Sequence, residues 1–228
     1  MNYRNLLFDA DDTLFDFHQA SLQAFAVMCQ KNDIPNTPEV YQVYYNINHA
    51  LWAAFDRGEV TKEYLTLERY VRFLAALGLE RDAAKCNREY LEGLGNSVFP
   101  FPHAEEVCRE LYRRGHILYI ATNAVASVQR SRLRMCPFGE LFTSAFISEE
   151  AGASKPDKAY YDYILASVPE LNAENCLVIG DSLATDIQGA NNAGLPCCWY
   201  NPKGKARPDY LSIDYEISDL RQLLDILE

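Results

Sequence analysis

The chain opens on a short apolar run, Asn5-Leu6-Leu7-Phe8, which stops abruptly at Asp9-Ala10-Asp11-Asp12-Thr13. An apolar run without alternation fits a strand buried on both faces, as in a parallel sheet. After Leu14 the period changes, and from about Phe17 to Val98 the pattern reads as helix after helix. Thr37-Pro38-Glu39 is a helix start, with Thr as N-cap and Pro at the first helical position. Leu67, Val71 and Leu74 recur at helical spacing, and Gly78 ends that helix. No strand is expected in this stretch. From Pro100 onward helix and strand patterns alternate. Helices are expected over 105–114, over 160–167 and over 186–193, with a closing helix on Leu220, Leu223, Leu224 and Leu227. Strands are expected over 117–121, 145–147, 176–179 and 196–200. Such alternation builds βαβ units. The expected fold is therefore α/β, a Rossmann-like doubly wound parallel sheet (residues 1–15 and 99–228) interrupted after its first strand by an all-helical insert (residues 16–98).

Composition narrows what this architecture does. Lysine and arginine number 21 against 32 acidic residues, a formal net charge of −11, and a field of that sign repels nucleic-acid polymers and anionic membrane surfaces. No apolar run is long enough to cross a bilayer. The start of the chain turns acidic too soon for a signal peptide. Seven scattered cysteines do not form a disulfide framework, so a reduced, cytoplasmic setting is expected.

In open parallel sheets chemistry collects at the carboxyl ends of the strands. Here those ends carry Asp9 and Asp11, Thr122-Asn123, and Gly180-Asp181-Ser182, with Lys155-Pro156 shortly after the third strand. Gathered at one edge, Asp9, Asp11 and Asp181 repel one another unless a cation sits among them. An oxygen-only site with few protein ligands suits Mg²⁺, which keeps waters and binds substrate phosphate. One carboxylate can then serve as nucleophile, forming an aspartyl-phosphate. A second, two residues on, can protonate the leaving oxygen and later activate water. Lys155 and the Thr122 hydroxyl would hold the equatorial oxygens of the phosphoryl group.

The ordered set Asp9-Ala10-Asp11-Asp12-Thr13-Leu14, Thr122-Asn123, Lys155-Pro156 and Gly180-Asp181-Ser182 with Asp186 resembles the four motifs of the haloacid-dehalogenase-like phosphatases. The helical insert matches the place of that family's cap. The resemblance implies Asp9 as nucleophile and Asp11 as general acid and base. It implies Mg²⁺ on Asp9, the backbone carbonyl of Asp11, and Asp181. Thr122 and Asn123 would bind the phosphoryl group, and Lys155 would neutralise it. Asp186 and Ser182 would support the set. Within the insert, Leu51-Trp52, Phe55, Gly58 and Val60-Thr61 resemble the cap of bacterial noncanonical pyrimidine 5′-nucleotidases, as do Ile147-Ser148-Glu149-Glu150 and Cys198-Trp199-Tyr200-Asn201 outside it. Ala124 departs from the Gly that many relatives carry after Thr-Asn.

The implied substrate is a small phosphate monoester, a nucleoside 5′-monophosphate with pyrimidines preferred. The alternatives are a phosphatase of phosphoglycolate or sugar phosphates with the same catalytic set, and a binding module that keeps the fold without catalysis. Tyr41, Tyr44, Tyr45, Trp52 and Phe55 could stack a nucleobase, but a helix pair packed through Trp52 and Phe55 is the expected use. Cys197-Cys198 is expected to lie within a buried strand.

Overall fold

In the computed structural model, which describes residues 3–227, the opening apolar run is β1 (Asn5–Phe8), a strand in the middle of its sheet. It pairs in parallel with β2 (Ile117–Thr122) on one side and with β4 (Cys176–Gly180) on the other. Beyond these lie β3 (Phe142–Ile147), β5 (Cys197–Tyr200) and β6 (Tyr215–Ile217), giving the order β3-β2-β1-β4-β5-β6, parallel throughout. Every residue of β1, β4 and β5 is buried, which is why these strands read as unbroken apolar runs. On one face Leu7, Tyr119, Val178 and Trp199 pack with Tyr160, Tyr161 and Ile164 of α8 (Lys158–Ser167) and with Ala190 of α9 (Gln188–Ala193). Their neighbours along the strands, Leu6, Phe8, Leu118 and Ile120, are fully buried and point to the other face. The remaining helices of this part are α5 (Ala104–Arg113), α6 (Ala126–Met135), the short α7 (Ser148–Ala151) and α10 (Leu223–Ile226).

Three details differ from the sequence pattern. The third strand starts at Phe142, because a 3-10 turn over Gly139–Leu141 feeds directly into it. The helix expected from Asp186 is preceded by a wide π turn, Leu183–Ile187, in which the Ser182 carbonyl accepts from both Asp186 and Ile187. The strand β6 was not expected, since three residues with a central Glu216 carry no apolar run.

The chain divides into two compact units. One runs up to Phe17 and resumes at Phe99, and the other is His18–Val98. The second is built from α1 (Phe17–Lys31), α2 (Pro38–Asp56), α3 (Lys62–Ala76) and α4 (Ala83–Gly95). Thr37, Thr61 and Asp82 cap α2, α3 and α4 by accepting backbone N–H bonds. Its centre is aromatic: the Tyr44 ring lies 4.9 Å from Phe25, 5.4 Å from Tyr70 and 5.4 Å from Tyr90. Leu67 and Val71, though at helical spacing, face outward, and α3 buries Leu65, Arg69, Tyr70, Phe73 and Leu74 instead. Arg69 stays inside by bonding the Thr66 carbonyl and the amide oxygens of Asn48 and Asn87, with its guanidinium 4.8 Å from the Tyr90 ring centre. Trp52 and Phe55 form an edge-on pair, with the Lys62 ammonium over the Phe55 ring. Tyr41 and Tyr44 are buried in the helical packing, whereas Tyr45 is exposed.

Candidate active site

The order of the sheet reverses direction beside β1, and Asp9, Lys155, Asp181 and Asp186 meet at that edge. Asp9 continues β1 and donates its backbone N–H to the Ile179 carbonyl of β4 (2.8 Å), which fixes it against Gly180-Asp181. Lys155 comes from the segment between α7 and α8, after β3. Its ammonium, almost fully buried, bonds Asp9 Oδ1 (2.6 Å), Asp186 Oδ1 (2.6 Å) and the Ala121 carbonyl (2.8 Å). Burial pulls this lysine's pKa down, but the carboxylates of Asp186 and Asp9 more than compensate and hold it well above the ordinary value.

Asn123, placed with the phosphate binders from sequence, commits its side chain elsewhere. Its Nδ2 donates to the Lys155 carbonyl (2.8 Å), and its Oδ1 accepts from the Lys155 backbone N–H (2.9 Å). Asn123 thus ties the end of β2 to the lysine's backbone, next to the cis Lys155–Pro156 bond. Thr122 is buried, with its hydroxyl accepting from the Ala124 N–H.

Asp186 is clamped from both sides, with Lys155 on Oδ1 and the Ser182 backbone N–H on Oδ2 (3.1 Å). The π turn creates this pose by bringing Asp186 back over Gly180, where an added Cβ would lie 2.3 Å from its carboxyl. Ser182 supports the turn as its cap, accepting from Thr185. Asp181 is positioned through its backbone, its N–H on the Thr13 hydroxyl and its carbonyl on the Trp199 indole.

The electrostatics of this corner are unbalanced. Carboxylate oxygens of Asp9, Asp181 and Asp186 lie within 4.8 Å of one another, and the Lys155 ammonium bonds two of the three, Asp9 and Asp186. Burial, with the charges of Asp186 and Asp12 added, pushes Asp181 up to about 7. Burial also drives Asp9 well above the usual carboxylate range. The Lys155 ammonium opposes that, and Asp186 and Asp181 add to it. Three carboxylates against one ammonium leave a formal deficit of two positive charges, which the all-oxygen donor set fits as a site for a hard divalent cation. Asp186 already has a donor on each oxygen, so Asp9 and Asp181 are the side chains suited to hold it.

Asp11 does not join this cluster through its side chain. It pairs with Arg132 of α6, a residue the sequence pattern did not single out. Arg132 and its helix neighbour Gln129 are fully buried.

The family profile of the haloacid dehalogenase-like hydrolases matches residues 3–194. The chain belongs to this family. Similar to it over nearly its full length is the HAD-hydrolase YfnB of Bacillus subtilis, 36% identical over 99% of this chain and 95% of that protein. A crystal structure of YfnB bound to magnesium superposes with a TM-score of 0.93, covering all of both chains. The pyrimidine 5′-nucleotidase PynA of Streptococcus pneumoniae is 32% identical over the whole of this chain and 96% of its own length. The pyrimidine 5′-nucleotidase YjjG of Escherichia coli is 29% identical over the whole chain and 99% of its own. Among the described residues of this hydrolase, no helix is long and apolar enough to cross a membrane.

Proposed function

We propose that this hydrolase is a Mg²⁺-dependent phosphomonoesterase that removes phosphate from nucleoside 5′-monophosphates, pyrimidines preferred, in the cytoplasm, through an aspartyl-phosphate on Asp9. The observation that carries the chemistry is the Asp9 carboxylate, buried between the Lys155 ammonium and the carboxylate of Asp181. The substrate rests on full-length similarity to two pyrimidine nucleotidases and on the Leu51–Thr61 pattern in the helical unit.

Asp9 is the nucleophile. Its oxygen forms a bond to phosphorus as the bond from phosphorus to the ester oxygen breaks. Asp11 delivers a proton to the departing alkoxide, which leaves as the nucleoside. Asp11 then takes a proton from water, whose oxygen attacks phosphorus. The bond to Asp9 breaks, and inorganic phosphate leaves. Lys155, held in place by Asn123 and Asp186, and the Thr122 hydroxyl stabilise the charge on the transferring oxygens. Mg²⁺, held by Asp9, Asp181 and the backbone carbonyl of Asp11, would supply charge neutralisation for the incoming phosphate. The helical unit is assigned the selection of the nucleoside.

Phosphate release from UMP, dUMP, dTMP, dAMP, phosphoglycolate and glucose 6-phosphate tests the reading, with EDTA and Asp9→Asn as controls. Metal-dependent turnover favouring the pyrimidine nucleotides, lost in Asp9→Asn, is expected. Turnover confined to the small metabolites keeps the chemistry and removes the nucleotide assignment.

A further inference from the structure

We propose that Arg132 is a positioning residue for proton transfer by Asp11. The inference rests on the reading of Asp11 as acid and base given above. A fully buried arginine is rare unless it is paired, and the partner here is Asp11 Oδ1.

The guanidinium is immobilised by the rest of its surroundings. Its Nη1 also donates to Gln129 Oε1 (3.2 Å), and its Cζ lies 5.2 Å from the ring centre of Phe15. Phe15 in turn stacks on Phe138, with ring centres 6.0 Å apart and planes at 25°. The same Phe15 closes the turn that carries Asp11. Its N–H bonds the Ala10 carbonyl, and its carbonyl accepts from the Asp12 N–H. Arg132 therefore grips both the side chain of Asp11 and the far end of the turn that presents it.

Asp9 and Asp11 lie two residues apart, yet each is held by its own cation from a different element. Lys155 holds Asp9, and Arg132 holds Asp11. That separation suits two carboxylates with different tasks. The arginine engages Asp11 at Oδ1. Arg132 also sits on the helix that leaves the Thr122-Asn123 turn, so one element supports both the phosphate end and the acid end of the site.

The test compares two leaving groups. A nucleoside alkoxide needs a proton as it departs, whereas p-nitrophenolate does not. In first-turnover measurements, Arg132→Met should slow phosphoryl transfer from UMP by about tenfold or more, the scale of lost acid catalysis. The burst of p-nitrophenol from p-nitrophenyl phosphate should stay within about threefold of wild type. Arg132→Lys should fall between the two for UMP, and it carries the same comparison if the Met variant does not fold. Equal slowing of both substrates, or no change in either, overturns the inference and leaves Arg132 a packing residue. A wild-type enzyme inert on both substrates instead overturns the phosphatase reading, and this inference with it.

Discussion

Lys155 holds three acceptors with one buried ammonium, and two of them are carboxylates that nothing else neutralises fully. Replacing it with Met should cost stability as well as turnover. Removing one partner from a buried ionic cluster strands the others, at about 3–5 kcal/mol. The drop should appear as a lower urea midpoint, and part of it should return in the double variant with Asp186→Asn, which removes one stranded charge. Asp9 and Asp181 were legible in the sequence because each closely follows an apolar strand run, whereas Lys155 and Asp186 were legible through the ordered motifs that resemble those of the haloacid-dehalogenase-like phosphatases. Arg132 was not legible. In Gln129-Arg130-Ser131-Arg132-Leu133-Arg134 the arginines alternate, and nothing in one dimension separates Arg130, which pairs with Glu150 at the surface, from the buried Arg132. The task of Asn123 was hidden for a related reason, since its partner is the backbone of a residue 32 positions away.

Among the elements, α9 packs closest where it has least side chain. A Cβ on Gly189 would sit 2.7 Å from the Tyr161 ring and 3.2 Å from the Pro156 Cα. Gly189→Val should therefore push α9 away from α8 and from the segment that carries Lys155. Overpacking of this kind costs about 1–3 kcal/mol, so thermal unfolding should move down and phosphate release should fall with it. Apolar runs and helix caps made most elements readable, because burial on two faces and N-terminal capping leave marks in single residues. The π turn left no such mark. It goes with Asp186 reaching back to the Ser182 N–H while its other oxygen is held by Lys155 from elsewhere in the chain. The buried face of α3 was equally hidden, since the aromatic centre of the helical unit, and not the spacing of Leu67 and Val71, decides which side turns inward.

For the molecule as a whole, the acidic corner ties stability to pH and to metal. Asp181 keeps its proton in the folded protein up to about 7 against an ordinary 3.8, so the folded state binds more protons between those values. Folding then loses this contribution as pH rises through the window and has none of it above. In EDTA, the stability of wild type relative to Asp181→Asn should decline from pH 5 to pH 7.5. Under the proposed Mg²⁺ site, added Mg²⁺ should reverse the trend by binding the deprotonated carboxylates. Urea midpoints at the two pH values, with and without metal, check both signs. The insertion point of the helical unit also bears on how the chain is made. Residues 5–8 pair with residues 117–120 and 176–179, while the helices of His18–Val98 close on one another at short range. Local helical contacts form fast and long-range strand pairing slowly. On the ribosome, at about 5–20 residues per second, the strand leading to Asp9 emerges long before either neighbour exists. The strand that ends at Asp9 is thus an early, sticky segment that waits for its partners, and the charged residues just after it, Asp9, Asp11 and Asp12, are placed to keep it soluble during the delay.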